Sequence, residues 1–453
     1  MDLIPPEILL HIFEYVDGPA PSEMRLHDEP SLDLLATRPG CAGASLKAAS
    51  LVSRSWRTLV LPCLFRHVLW KPAVYSLSAF TLNPIPLLRF LTENQLARNV
   101  LTFTMVIDFH DPATIGCLNT PQIRAVDLEW LWDQLFAVVD PLRFTILARP
   151  TTLAALLSRM LYLDDAWSYD IPYHILSLAR PSRRVRPSCG LGSGQPPASP
   201  SQLQSSSTPE TTSIGSPWSP PAASPVSRRP PTFRSRVAPP PCPLFTVRPW
   251  TSILLNEGSS TKVYHEYEFY LRRPPSVLGA LLGCEEHPND NPLIPQTTVD
   301  FNYIAIFPLA SHFEILVQNL PRVDRLYVQL IPKSGTGILE DVEELRHIDP
   351  GDLWMERNSS YNSVLEQLTS TTDRQANWDL LRVFESGDAY ADKEAWESAV
   401  HILENSGMQD WRAQREGVFV RHVNDGRSSD WSYEVNGHVG GLANVSDSNP
   451  LSP

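Results

Sequence analysis

The sequence predicts a mixed fold, α+β or α/β, in which three N-terminal helices precede an irregular α/β solenoid that carries a long disordered insertion. Three observations predict it: apolar residues at helical spacing before residue 70, helical stretches that alternate with short apolar strands after residue 75, and a proline- and serine-rich stretch that interrupts this second region. The expected regions are a helical domain at 1–72, solenoid segments at 75–180 and 244–423, the insertion at 181–243 and a disordered tail at 424–453.

The N-terminal region reads as three helices. The first has apolar residues at i, i+1, i+4, i+5 and i+8, namely Ile8, Leu9, Ile12, Phe13 and Val16. Asp17-Gly18-Pro19 is expected to end it. Ser45 and Ser53 are suited to cap a second and a third helix, and the third is expected to stop before Pro62.

The central region repeats a unit of helix, proline turn and strand. One copy has an apolar helix at 128–139 and a strand at 142–147, and another has a helix at 313–320 and a strand at 325–331. A third copy is expected near 378–384, and the apolar residues at 100–107 predict a buried strand. Because a lone repeat cannot bury its own apolar face, such units are expected to stack as a solenoid.

The insertion differs in composition from the rest of the chain. It holds 16 prolines in 63 residues, and seven arginines against one glutamate. Few aliphatic residues remain to offset a backbone ordering entropy of about 1–2 kcal/mol per residue, so disorder is expected. Five sites for proline-directed kinases lie in it, at Ser199, Thr208, Ser216, Ser219 and Ser224. They indicate either a phosphorylation-controlled tether or a passive insertion, and the interruption of a solenoid favours the passive one.

The overall composition excludes several classes of protein. The net charge of −13 is opposite in sign to the basic surface that nucleic-acid binding requires, and no apolar run is long enough to span a membrane. Six scattered cysteines form neither a disulfide framework nor a zinc site, and the first residues do not resemble a signal peptide. We therefore expect a cytoplasmic or nuclear protein without metal or cofactor.

The N-terminus resembles an F-box. Two segments match the two halves of that motif: residues 4–16, which begin Ile4-Pro5-Pro6-Glu7-Ile8-Leu9, and residues 46–57, which end Leu51-Val52-Ser53-Arg54-Ser55-Trp56-Arg57. The whole chain is similar to the expanded F-box family of filamentous fungi, in which leucine-rich-repeat-like segments commonly follow the box. Two departures stand out: Ile4 replaces the usual leucine, and about 28 residues separate Asp17 from Ala44.

The resemblance implies a substrate-recognition subunit of an SCF-type cullin–RING ubiquitin ligase, which is not itself an enzyme. Its partners would be a Skp-type adaptor and, through it, cullin and RING subunits, with an unknown target on the loops or concave face of the solenoid. A unit of fewer than 70 residues cannot enclose all its large apolar side chains, so some should form an exposed patch. The adaptor-binding residues implied are Leu3, Ile4, Pro5, Glu7, Ile8, Leu9, Ile12, Phe13, Leu51, Val52 and Trp56.

The N-terminal helices and the function of the protein each have an alternative interpretation. The N-terminal helices could simply cap the following domain, with the apolar stripe turned inward, or the protein could be an adaptor-binding scaffold that acts outside ubiquitin transfer. An enzyme is disfavoured because phosphate-loop, dinucleotide-binding, zinc-protease and serine-hydrolase motifs are absent from the sequence.

Two further groups of residues are candidates for binding sites. His265 to Glu268 could ligate a metal, but a polar strand face fits them better. Four tryptophans could anchor a target, although core positions are more usual for such residues: Trp130, Trp132, Trp250 and Trp354.

Overall fold

The computed structural model describes most of the chain outside the insertion and the tail. The described residues are 4–32, 42–73, 82–109, 123–159, 161, 169, 171–183, 242–285, 290–333, 335, 338–370, 377–406 and 410–422. The predictions for Leu3, for the five kinase sites, for most of the insertion and for the tail at 424–453 therefore lie outside the described residues.

Four helices form the N-terminal part: α1 (Pro6–Val16), α2 (Pro21–Met24), α3 (Ala42–Ala49) and α4 (Arg54–Leu64). The first helix and the cap of α4 are confirmed, since the Ser53 hydroxyl oxygen accepts a hydrogen bond of 3.1 Å from the Trp56 amide. Two details were wrong. Ser45 lies inside α3 because that helix begins three residues earlier, and α4 continues past Pro62, where a proline near the helix end removes only one backbone hydrogen bond.

Ten strands form one sheet. They are β1 (His67–Trp70), β2 (Thr102–Ile107), β3 (Arg143–Ala148), β4 (His174–Ala179), β5 (Ser252–Ser259), β6 (Asp300–Ile306), β7 (Arg325–Gln329), β8 (Val383–Ser386), β9 (Trp411–Arg415) and β10 (Val418–Arg421). The strands follow chain order except that β10 lies between β8 and β9. Strands β1–β3 and β5–β8 are parallel, whereas β4 is antiparallel to both its neighbours, as is β10. The predicted mixed α/β class is confirmed, with a mostly parallel sheet.

Helices cover one face of this sheet. They are α5 (Ile85–Glu93), α6 (Ala125–Val138), α7 (Pro150–Leu156), α8 (Pro243–Thr246), α9 (Leu278–Leu282), α10 (Ala310–Gln318), α12 (Pro350–Thr369) and α13 (Lys393–Asn405). The short helix α11 (Val342–Leu345) adjoins the opposite face. Trp132 and Trp250 are fully buried in the main core, so neither can anchor a target, and Trp130 and Trp354 are half-buried. Among the described helices, none combines the length and apolar character needed to cross a bilayer.

Residues 17–32, the connector that follows α1, lie on part of the opposite face of the sheet. Leu26 belongs there to one buried cluster with Val106, Leu147 and Leu254, to which Val263, Tyr264 and other residues after β5 also belong. The amide of Asn256 on β5 donates to the carbonyl oxygens of Leu26 and Asp28, at 2.9 and 2.8 Å. On this face the connector, and not solvent, therefore lies against the part of β5 that contains Asn256.

Gly258 marks the tightest contact of this connector. It sits at φ +72° in an irregularity of β5, and a Cβ there would lie 2.8 Å from Oε1 of Glu29. We expect Gly258→Ala to lower the free energy of unfolding by about 1–3 kcal/mol, since backbone strain and a clash add together. Gly335→Ala is the control, because Gly335 has φ +82° but open space around it. Equal urea midpoints for the two variants would contradict the role given to the connector.

Candidate adaptor-binding surface

The helical unit has a small core of its own. Leu9 and Phe13, one turn apart on α1, pack against Leu46 of α3 and against Val60 and Cys63 of α4. Trp56 meets the ring of Phe13 edge-on, with 5.4 Å between ring centroids. Burial raises the pKa of the Cys63 thiol, so this side chain stays neutral in the core. The side of α1 that carries Leu9 and Phe13 is therefore buried in the core of the helical unit.

A second apolar stripe on α1 stays outside. Ile8, Ile12 and Tyr15 follow each other at i, i+4 and i+7, and their exposed fractions are 50%, 45% and 91%. Ile4, which precedes α1 by two residues, is also exposed. Side chains at this spacing share a helix face, so they form one apolar strip that the described chain does not cover.

Two further apolar side chains are exposed in the turn between α3 and α4. Leu51 and Val52 have exposed fractions of 79% and 54%. Their amides donate to the carbonyl oxygens of Ala48 and Ala49, and Ser53 then caps α4. The turn is thus held by backbone hydrogen bonds, which leaves both side chains directed away from the core.

The structure divides the sequence-predicted site residues into two groups. Ile4, Pro5, Glu7, Ile8, Ile12, Leu51 and Val52 are exposed. Leu9 and Phe13 were wrongly placed on the surface, because their exposed fractions are only 5% and 3%, and Trp56 is half-buried beside Phe13. Helical periodicity could not separate these groups, since seven of the nine residues from Ile8 to Val16 are apolar and span more than one face of α1.

Arg66 joins the helical unit to the sheet. Its guanidinium lies 2.9 Å from Asp17 and 3.3 Å from Glu14, at the end of α1. Its carbonyl oxygen accepts hydrogen bonds from the amides of Leu101 and Thr102, where β2 begins. The connector at 17–32 adds a second attachment, so the exposed strip has a set orientation relative to the sheet.

The structure contains a buried polar cluster that the sequence did not predict. Glu257 on β5 accepts a hydrogen bond of 2.6 Å from the Tyr303 hydroxyl and another from Ser276, and its Oε2 lies 2.9 Å from Nε2 of His312. Burial alone would raise the pKa of Glu257, but His312, His174 and Ser276 outweigh it and lower that pKa to about 2. All these residues are buried, so in this fold the cluster joins β5, β6 and α10 away from solvent. Its members are separated by up to 55 positions in sequence, which no local pattern reveals.

The segment at 261–268 also differs from expectation. Residues Thr261–His265 form a 3₁₀ helix rather than a strand, because the chain turns after β5 and packs Val263 and Tyr264 onto the sheet. Within the part of the chain that the structure describes, no three His, Cys, Asp or Glu residues are arranged to hold a metal ion.

The buried histidine beside this cluster predicts a pH dependence of stability. Neither ring nitrogen of His174 has a hydrogen-bond partner among the described residues, and burial lowers its pKa from 6.5 to about 4. The unfolded chain therefore binds a proton near pH 6.5 that the folded chain binds only near pH 4, so stability should fall as the pH drops between these values. Urea midpoints should decline less steeply with pH for His174→Phe than for the unaltered protein. Parallel curves would refute the assignment.

No protein-family model, curated protein or solved structure matches this chain.

Proposed function

We propose that the exposed strip of α1 and the α3–α4 turn bind a Skp-type adaptor, and that the protein is a substrate-recognition subunit of an SCF-type cullin–RING ubiquitin ligase. In this proposal the N-terminal unit is an F-box, and the α/β body is a leucine-rich-repeat-like solenoid that carries the target. The chain would perform no covalent chemistry and would raise the local concentration of target near the ubiquitin donor.

One observation carries the proposal: Ile8 and Ile12 are about half exposed on a helix whose Leu9 and Phe13 already occupy the core of the helical unit. A helix that merely capped the sheet would turn this stripe inward. Exposed apolar strips of this kind mark partner surfaces, and a groove on a partner would recognise their i, i+4 spacing. The residues involved belong to the motif that resembles an F-box.

The test is co-expression of the full chain with a Skp-type adaptor. The full chain is needed because the connector and Arg66 attach the helical unit to the sheet. We expect the adaptor to co-purify, and Ile8→Asp combined with Ile12→Asp to weaken binding by about 100-fold or more, because two carboxylates would be buried without partners. Val126→Asp is the matched control, since Val126 is an exposed apolar residue on α6.

Two results would contradict adaptor binding: no complex with the full chain, or equal capture by the double variant and the control. The scaffold alternative differs in its further partners. If cullin and RING subunits co-purify and ubiquitin is transferred to bound proteins, the ligase role is supported. Capture of the adaptor alone, without cullin, would favour a scaffold that acts outside ubiquitin transfer.

A further inference from the structure

The sheet ends in an open edge at β9. Within the described residues, β9 pairs with β10 on one side and with no strand on the other. A groove of about 420 Å³ runs beside it, between α13 and the turn after β9, and it is lined by Lys393, Trp396, Glu397, Ala413, Gln414, Arg415 and Glu416. An unpaired strand edge next to a helix groove is the setting in which an extended segment can add as a further strand.

The two faces of β9 differ in chemistry. Trp411 and Ala413 turn toward the core beneath α13, where the rings of Trp396 and of Phe419 on β10 meet at an interplanar angle of 34°, with 4.4 Å between their centroids. Arg412 and Gln414 alternate with them and are exposed. A strand that extends the sheet here should therefore be apolar on the groove face and acidic or polar on the other.

We propose that residues Asp430–Val435 of the same chain dock on β9 as this additional strand. Trp431, Tyr433 and Val435 alternate there with Asp430, Ser432 and Glu434. The aromatic face would enter the groove, and the acidic face would lie beside Arg412. Asn436-Gly437 follows, a pair that favours a tight turn and would end the strand.

The chain leaves the sheet next to this edge. β10 ends at Arg421, and the amide of His422 donates a hydrogen bond of 2.6 Å to the carbonyl oxygen of Asp410, at the start of β9. The outer side of β9 is two strand spacings from β10, or about 10 Å. The seven residues at 423–429 can span about 23 Å when extended, so the segment reaches the edge without strain.

Charge favours this occupant. The side of β9 that faces away from the groove carries Arg412 and no acidic residue, whereas residues 430–435 carry two carboxylates and no base. Glu397 and Glu416 border the groove, where the segment would place only uncharged side chains. Arginines and the irregular pairing of β9 with β10 hinder edge-to-edge association of two copies, while a tethered segment has the advantage of high effective concentration. The proposal does not depend on adaptor binding.

The test is hydrogen–deuterium exchange of residues 411–415 in the full chain. Trp431→Asp combined with Tyr433→Asp should speed exchange of the outward amides by about tenfold or more, because two charges would enter the groove face. Val439→Asp combined with Leu442→Asp, in the same tail but outside the segment, should leave it unchanged. Equal exchange in the unaltered chain and the first variant would overturn the proposal.

A charge exchange identifies the occupant. Arg412→Glu and Glu434→Arg should each speed the exchange, and the two together should restore it. Light scattering on the same samples should show a monomer. A dimer that dissociates in the Arg412→Glu variant would instead assign the edge to a second copy, and failure of the double variant to restore protection would overturn the pairing.

Discussion

Replacing Arg357 with methionine is expected to lower the free energy of unfolding by about 3–5 kcal/mol. Arg357 on α12 is almost fully buried, and its guanidinium lies 3.0 Å from Asp388 and 3.0 Å from Asp392. Asp388 also accepts hydrogen bonds from the amides of Leu330 and Ile331, after β7. Burial already raises the pKa of Asp388. Without the guanidinium, a carboxylate would stay buried with only amide donors.

Urea denaturation measures this loss. Arg346→Met is the matched control, because Arg346 forms an exposed pair with Glu343 at 3.9 Å and should change stability by less than about 0.5 kcal/mol. Arg357→Met combined with Asp388→Asn should recover part of the loss, since the asparagine oxygen still accepts from the two amides and carries no charge. A loss below 1 kcal/mol for Arg357→Met would show that the pair does not hold α12 against the sheet.

Replacing Phe13 with alanine is expected to cost about 3–5 kcal/mol in the helical unit. The described core of this unit has five buried apolar residues, and Phe13 contacts the half-buried Trp56 in addition to them. A cavity of that size cannot be refilled by so few neighbours, so α1 and α4 should open locally while the sheet stays folded. Hydrogen–deuterium exchange of residues 6–16 and 54–64 is the measurement.

Ile12→Ala is the matched control on the same helix. Ile12 is adjacent in sequence but half exposed, so its truncation should cost less than about 1 kcal/mol and leave exchange nearly unchanged. The pair also separates folding from binding. Phe13→Ala should weaken adaptor capture only by unfolding the unit, whereas aspartates at Ile8 and Ile12 should abolish it in a folded unit. Unchanged exchange in Phe13→Ala would mean that α1 is held chiefly by Arg66 and the connector.

Local elements were predictable because their signals are local. The apolar period of α1, the serine cap of α4 and the strands at β2, β3 and β7 follow from residues within a few positions of each other. The antiparallel direction of β4 was not predictable, because the direction of a strand depends on its neighbours in the sheet. Nor was the docking of the connector, in which Asn256 contacts Leu26 across 230 positions of sequence.

The sequence by itself determined the mixed α/β class, the two motif segments near the N-terminus and the kind of partner to test. Only the tertiary structure decided which apolar residues of α1 stay outside, since Leu9 and Phe13 share a buried core with α3 and α4 whereas Ile8 and Ile12 stay about half exposed. It also decided that the connector lies on part of the second face of the sheet. The physical reason is that periodicity measures how apolar a helix face is, whereas burial depends on what packs against that face.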